Sequence, residues 1–559
     1  MLVTFSALTA LCALAVQVQA ISKVTRTGRY LYQEDGTRFY IKGIGYQMQG
    51  ERHESEDNHF GEPGTFIDPL ADAAACRRDL EHLRAASINT LRVYSVDSSL
   101  NHDECMRLFS DANIYVILDL TLPVIASIDR TQPSWSTNML DVFIRTINTF
   151  EKYDNVIVYN IGNEVVDRVQ SSLATLPFLK AVARDVKAYL KSINSDRLVG
   201  FGSTFLDSPG NSGVHRSIAQ FLSCGSEETS IDIFGLNDYT WCGSRGSLDQ
   251  SSYRADITQF ADYNVVAYFS EYGCTDARPE PRPWTEVEVL LGEDMSVAWS
   301  GGVAFNYFPT AAVNGDFGVV TLSADNTTVT VSEEFTSLGE RYGAFNGPNS
   351  PSRDSVAAPT YGTCVAPTGA SNTLPGTPNN EACSCLLGAL SCRPNAAAVA
   401  DADLRAQLTG EACGLLSRAG GSCDELNGNG ATGVYGRAAA CGPDVKLAYA
   451  MSSFYEREGR NAQSCNFGGN ASLNPGASPT VDAPAAAGTC VPSPNAAILP
   501  ALSEPSSNSG SPNPAPSAGN DGGNNPPANN NRGNGASGSA VRIGAFAFVS
   551  AMSAFWVLA

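Results

Sequence analysis

A chain of 559 residues is too long for one hydrophobic core, so more than one folded unit is expected. Its 57 acidic side chains against 36 basic ones leave a formal charge of −21 and a pI near 4.6, which excludes the basic face that nucleic acid requires. An uncharged partner such as a polysaccharide suits that surface.

In chain order, residues 1–20 carry an apolar run from Phe5 to Val16 and a small residue, Ala20, at the cleavage point of a secretory signal peptide. From 39 to 308, apolar runs of strand length alternate with amphipathic stretches. The predicted strands are "FYIKGIGYQ" (39–47), "INTLRVYSV" (88–96), "IYVILDL" (114–120), "NVIVYNIGN" (155–163), "LVGFGST" (198–204), "IDIFGLNDY" (231–239), "VVAYFSEYG" (265–273) and "VAFNYF" (303–308). Helical periodicity fills gaps at 72–86, 101–111, 138–151, 176–193 and 249–261. Near-continuous apolar strands between helices imply a covered parallel sheet, and eight such units over 21–345 predict an α/β fold, a (β/α)8 TIM barrel. An open doubly wound sheet is the alternative, but no Gly-rich phosphate loop follows any strand.

Residues 346–373 read as a linker rich in Pro, Gly, Ser and Thr. Of fifteen cysteines, Cys12 lies in the leader, which leaves an even fourteen and points to an oxidising compartment. Eight of them, from Cys383 to Cys490, crowd into 374–490, a small and mainly helical module that needs disulfide staples. No CxxC pair occurs and histidines number five, so the cysteines are read as disulfides rather than as zinc ligands. Segment 491–534 has almost no apolar content and is predicted to be a disordered stalk. Small residues, a polar spacer and the apolar end "IGAFAFVSAMSAFWVLA" make 535–559 a GPI-attachment signal, with Asn534 as the attachment residue. A tail-anchored helix is the alternative. The sequons at Asn326 and Asn470 are candidate N-glycosylation sites.

Gly162-Asn163-Glu164 closes the fourth predicted strand, and Glu271 closes the seventh. A single glutamate at a strand end is ordinarily a solvated acid; two at the same face of one barrel are a candidate pair. Glycoside cleavage needs two carboxyls flanking one bond, about 5–5.5 Å apart when configuration is retained. Arg92, ending the second strand, and Tyr239, ending the sixth, are placed to donate to Glu271 and hold it ionised. Asn163 is placed to bind a sugar hydroxyl beside the reacting carbon. Tyr94, Tyr239 and Tyr307 are the strand-end aromatics chosen for stacking on a sugar ring. Asp119 is either a further site residue or a partner for loop backbone.

At "YNIGNE", "NDYTWCG" and "FSEYGC" the chain resembles glycoside hydrolase family 72, the fungal cell-wall β-1,3-glucanosyltransferases, and "FYIKGIGYQ", "NTLRVYSVD" and "IDRTQPSW" extend the likeness over most of 25–345. "CSCLLGALSC", "KLAYAMSSFYE" and "SCNFGG" resemble the cysteine-rich glucan-associated module of one branch of that family. The resemblance implies a retaining enzyme with Glu164 as acid/base and Glu271 as nucleophile. A second β-1,3-glucan chain then intercepts the glycosyl-enzyme, so glucan is elongated. It implies substrate contacts from Gln47, Tyr94, Asp119, Asn163, Tyr239 and Tyr307, to which Arg92 is added as a strand-end residue, and the pairs Cys76–Cys105, Cys224–Cys364 and Cys242–Cys274. No cofactor is called for, and a monomer on the outer face of the plasma membrane, in contact with the cell wall, is expected. An endo-β-1,3-glucanase, or a wall-binding protein with an idle barrel, are the alternatives.

Overall fold

The structure, a computed structural model, describes residues 21–52, 63–123, 126–167, 173–207, 213–275, 281–312 and 315–494. The leader, Asn534, the attachment signal and all but the first four residues of the 491–534 stalk lie outside the described residues.

Eight parallel strands close a barrel: β1 (Ile41–Gly45), β2 (Thr90–Val93), β3 (Tyr115–Asp119), β4 (Val156–Asn163), β5 (Leu198–Thr204), β6 (Ile233–Asp238), β7 (Val266–Tyr272) and β8 (Trp299–Ala304), with β8 returning to β1. Each pairs with its sequence neighbour, as the alternation of apolar runs and helices requires. The helices α1 (Ala73–Ala85), α2 (Asp103–Asp111), α3 (Thr137–Phe150), α4 (Leu176–Ser192), α5 (Val214–Leu222) and α6 (Tyr253–Phe260) cover the outside. At the base, Ile41, Ile117, Ile157, Val158, Ile233, Val266 and Val303 fill the interior beneath a hairpin, Val24–Thr27 and Tyr30–Gln33, that contributes Val24 and Leu31.

The eighth strand is the one whose register differs from expectation. It runs Trp299–Ala304, not 303–308, because "SGG" hides it: glycine is a poor strand former. Gly301 is required there, since its φ is +87° and a Cβ would lie 2.2 Å from the Ile41 carbonyl oxygen. Consequently 305–308 lie beyond the end of the strand.

Beyond the helix Glu333–Ala344, a linker bearing Cys364 is tied to Cys224 of the barrel. The second core is built on helices Asn380–Ala389, Ala402–Arg418, Pro443–Arg457 and Ala483–Cys490, and includes Leu386, Leu408, Leu447 and Met451. Bridges Cys383–Cys441, Cys385–Cys490, Cys392–Cys465 and Cys413–Cys423 staple it. It docks on α3 and α4 through an edge-on Phe178–Tyr435 contact at 5.6 Å and through Asn380, whose Nδ2 donates to Asp141 Oδ1 at 2.8 Å.

Candidate active site

The C-terminal ends of β2, β4, β6 and β7 deliver one connected polar cluster. Arg92 is its hub and has no exposed surface. Its Nη1 donates to Glu271 Oε1 at 3.2 Å and to the Ser270 carbonyl at 3.0 Å. Its Nη2 donates to Asp119 Oδ2 and to Asn163 Oδ1, both at 2.9 Å. Asn237 at the end of β6 carries the chain onward, its Nδ2 donating to Asn163 Oδ1 at 3.2 Å and to Glu164 Oε1 at 3.0 Å. Its own Oδ1 accepts from Ser270 Oγ at 2.6 Å. The two glutamates therefore belong to one network, joined through Arg92, Asn163 and Asn237.

Glu271 is 6% exposed. Tyr94 donates to its Oε1 at 2.9 Å and Tyr239 to its Oε2 at 2.7 Å. Burial pushes this carboxyl up from its ordinary range; the Arg92 charge and the Tyr239 and Tyr94 hydroxyls pull the other way. Both phenols are themselves held well above the usual tyrosine range, chiefly by burial and also by the Glu271 charge, so they remain donors. A carboxylate with one cation and two phenols aimed at it is suited to attack while ionised.

Glu164 is only half-buried and sits just past β4 with φ +51°, a left-handed conformation that costs a residue with a side chain. Its N–H donates to the Gly202 carbonyl at 2.9 Å. Its own carbonyl accepts from Arg130 Nε at 3.2 Å and Nη2 at 2.9 Å. Gly202 leaves room for the network beside it: a Cβ would come within 2.7 Å of Asn163 Oδ1. Here the backbone is bent to aim a carboxyl at the barrel mouth.

Gln47 brackets the second strand end. Its Oε1 accepts from the N–H groups of Tyr94 at 3.1 Å and Ser95 at 3.0 Å, while its Nε2 donates to the Ile67 carbonyl at 2.7 Å. Cys242, three residues after Tyr239, is bonded to Cys274, three residues after Glu271. That bridge clips together the strand ends carrying the phenol and the carboxylate it serves.

Three of the expected sugar contacts lie buried behind the open cleft. Arg92 and Asp119 are 0% and 1% exposed, so they hold other side chains rather than present themselves to a ligand. Asp119 balances Arg92 and accepts from Asn160 Nδ2 at 2.7 Å instead of serving loop backbone. Tyr307, also without exposed surface, turns into the core, where its hydroxyl and that of Tyr46 both donate to Asp79, at 3.2 and 2.7 Å. The shifted eighth strand explains this last displacement. The aromatic that β8 presents near the mouth is Phe305, half-buried and edge-on to Tyr94 at 6.1 Å and Tyr239 at 6.4 Å, with Phe317 behind it. Sequence reasoning missed Phe305, Phe317, Asn237 and Arg130. Asn237 had a signal, since "LNDY" ends a strand on an amide as "IGNE" does.

The family described as Glucanosyltransferase, glycoside hydrolase 72, matches residues 11–346, and the X8 domain matches 390–472. The 1,3-beta-glucanosyltransferase gas1 of Schizosaccharomyces pombe is 33% identical over 482 residues, covering 84% of this chain and 81% of its own. The pH-responsive protein 2 of Candida albicans is 34% identical over 448 residues, 80% of this chain and 77% of its own. Among solved structures, Saccharomyces cerevisiae Gas2p in complex with laminaritriose and laminaritetraose is similar at 30% identity and a TM-score of 0.68, covering 82% of this chain and 98% of that one.

Proposed function

The chain belongs to glycoside hydrolase family 72 and is a 1,3-β-glucanosyltransferase; from that premise we propose how its residues divide the reaction. Glu271 is the nucleophile and Glu164 the acid/base. In the first half-reaction a Glu271 oxygen bonds to the anomeric carbon as the glycosidic bond breaks, and the Glu164 proton passes to the departing 3-oxygen. In the second, Glu164, now ionised, takes the proton of the 3-hydroxyl on an incoming glucan chain. That oxygen attacks the anomeric carbon, the ester to Glu271 breaks, and a longer chain leaves.

The observation that carries this assignment is the donor set on Glu271. It receives a guanidinium and two phenols, all of which favour its charged form. Glu164, half-buried at the barrel mouth, accepts from the Asn237 amide and is joined to Glu271 through the same network. Gln47, Tyr94, Asn163 and Tyr239 contact the bound glucan, and Phe305 supplies the apolar floor for the sugar ring. Arg92 and Asp119 set the charge and position of these groups from beneath.

The test is a product analysis. The secreted form, truncated before Asn534, is incubated with a reduced β-1,3-glucan oligosaccharide and chain lengths are resolved over time. Products longer than the input are expected; only shorter ones would make the enzyme a hydrolase. Tyr307→Phe separates the core from the cleft. It is expected to cost about 1 kcal/mol of stability, the value of one buried hydrogen bond, and to leave KM for glucan unchanged. A raised KM would return Tyr307 to the substrate site.

The seven disulfides fit a protein matured in an oxidising compartment. The leader 1–20 and the signal 535–559, with attachment at Asn534, would place the 21–345 barrel and the 374–490 module outside the plasma membrane, as a monomer on its stalk. Asn326 is exposed and suits glycosylation; Asn470 is half-buried, with its Nδ2 donating to the Phe467 carbonyl at 3.0 Å.

A further inference from the structure

Behind β6 lies a second buried polar cluster that the transfer mechanism does not use. Asp238, the last residue of β6, is 1% exposed, and its Oδ1 accepts from the Thr240 N–H at 2.7 Å. Its Oδ2 meets the hydroxyl of Ser252, which lies immediately before α6. The same Ser252 oxygen is 2.6 Å from Asp256 Oδ2, and the Thr240 hydroxyl donates to it at 3.0 Å. Asp256 in turn lies 3.0 Å from His215 Nε2 on α5, and Asp207, from the β5–α5 connection, lies 2.9 Å from His215 Nδ1.

Counting protons decides the state of this cluster. Ser252 has one hydroxyl proton, yet two carboxyl oxygens sit within hydrogen-bond distance of its oxygen. One of those carboxyls must bring a proton of its own. Asp256 faces His215; burial opposes charge on that imidazole, but its two carboxylates raise it to about 9, so it is a cation near neutrality. Asp256 is thus the paired anion, and Ser252 donates to it. The groups facing Asp238 are Ser252, just before α6, Tyr253 and Asp256 on α6, and Thr240 from its own turn. None of these is a cation. The His215 charge is already shared between two carboxylates, so a further buried anion has nothing to balance it.

We propose that Asp238 is held as a neutral carboxylic acid, its proton donated to Ser252, and that it acts as a positioning residue for Tyr239 in glucan transfer. With this assignment the Ser252 oxygen accepts from Asp238 and Thr240 and donates to Asp256, which uses its one proton and both its lone pairs. The turn that follows β6 is then tied down on both sides, and Tyr239, the next residue in the chain, keeps its 2.7 Å bond to Glu271. Losing the Asp238 proton sets two anions against one hydroxyl proton and slackens the turn. Burial and the Asp256 charge push this carboxyl up to about 7. Because the folded state holds the proton well above the ordinary carboxylate value of about 3.9, stability contributed by this group falls as pH rises from there through 7. This inference rests on the reading of Glu271 as nucleophile only for its catalytic consequence.

The experiment uses the oxidised, secreted enzyme and two readouts, the rate of transfer between laminari-oligosaccharides and the near-UV circular dichroism of the aromatic side chains around the turn. In the wild type both are expected to change between pH 6 and 8, the rate falling about ten-fold for one pH unit beyond the midpoint. In Asp238→Asn the amide donates to Ser252 but cannot ionise. That variant is expected to keep the acid-side rate and spectrum and to lose both changes. An alkaline limb unmoved in Asp238→Asn would belong to another group, such as Glu164, and would overturn the proposal. A flat wild-type spectrum across that range would overturn it without any variant. Should Glu271→Gln prove active while the spectral transition stands, the nucleophile assignment fails and the buried proton does not.

Discussion

Glu271→Gln is expected to lower kcat for glucan transfer by about 10⁴-fold or more, the scale on which enzymes respond to loss of a nucleophile. The amide preserves shape, with one of the two phenols turned to accept from its NH2, but no covalent glycosyl-enzyme forms. Glu164→Gln is expected to behave differently, with a loss of about 10²- to 10⁴-fold on glucan, the contribution of general acid–base catalysis. An aryl glucoside-capped donor, whose leaving group needs no proton, recovers the first step in Glu164→Gln and not in Glu271→Gln. Rapid-mixing measurement of aryl release reads this directly. Near-normal turnover in either variant removes that residue from the mechanism.

Removing the hub is expected to have the second large effect. Arg92 is fully buried between Asp119 and Glu271. Arg92→Met leaves both carboxylates without their cation, and breaking a buried pair in this way costs about 3–5 kcal/mol. Activity shifts as well as stability. Glu271 is already pushed upward by burial, and Arg92 is the first influence opposing that push. Without it the carboxyl ionises at higher pH, so the acid limb of kcat/KM moves to higher pH; one unit corresponds to about 1.4 kcal/mol. Arg92→Met combined with Asp119→Asn is expected to regain part of the stability but not the activity. Denaturant titration and the pH profile separate the two effects. An acid limb that stays in place would mean that Tyr94 and Tyr239 alone set the charge of Glu271.

Much of this architecture is legible in the chain because the barrel strands are buried on both faces, and burial writes unbroken runs such as "NVIVYNIGN". The two glutamates stand out because they end such runs. Strand eight escaped because closure of the barrel against β1 requires Gly301 and Gly302, residues that erase the apolar signal where packing is tightest. That shift misplaced Tyr307 and concealed Phe305. Arg92 and Asp119 are legible as strand-end charges, but their pairing with each other is not, since charge at a strand end looks the same whether it faces a sugar or another side chain. The network through Asn237 depends on neighbouring strands in register, with Asn237 opposite Glu271, and no local pattern reports that. Nor does spacing among eight module cysteines select one of 105 pairings.

The clip between Cys242 and Cys274 bears on how this enzyme has to be manufactured. It lies three residues from both Tyr239 and Glu271, so chain produced in a reducing cytosol loses a covalent support of the reaction centre itself, along with the staples of the module. Recombinant preparations intended for kinetics therefore belong in the secretory route of a eukaryotic host or in a bacterial periplasm. A thiol titration of the unfolded product is the quality check to run before any turnover number is taken from it.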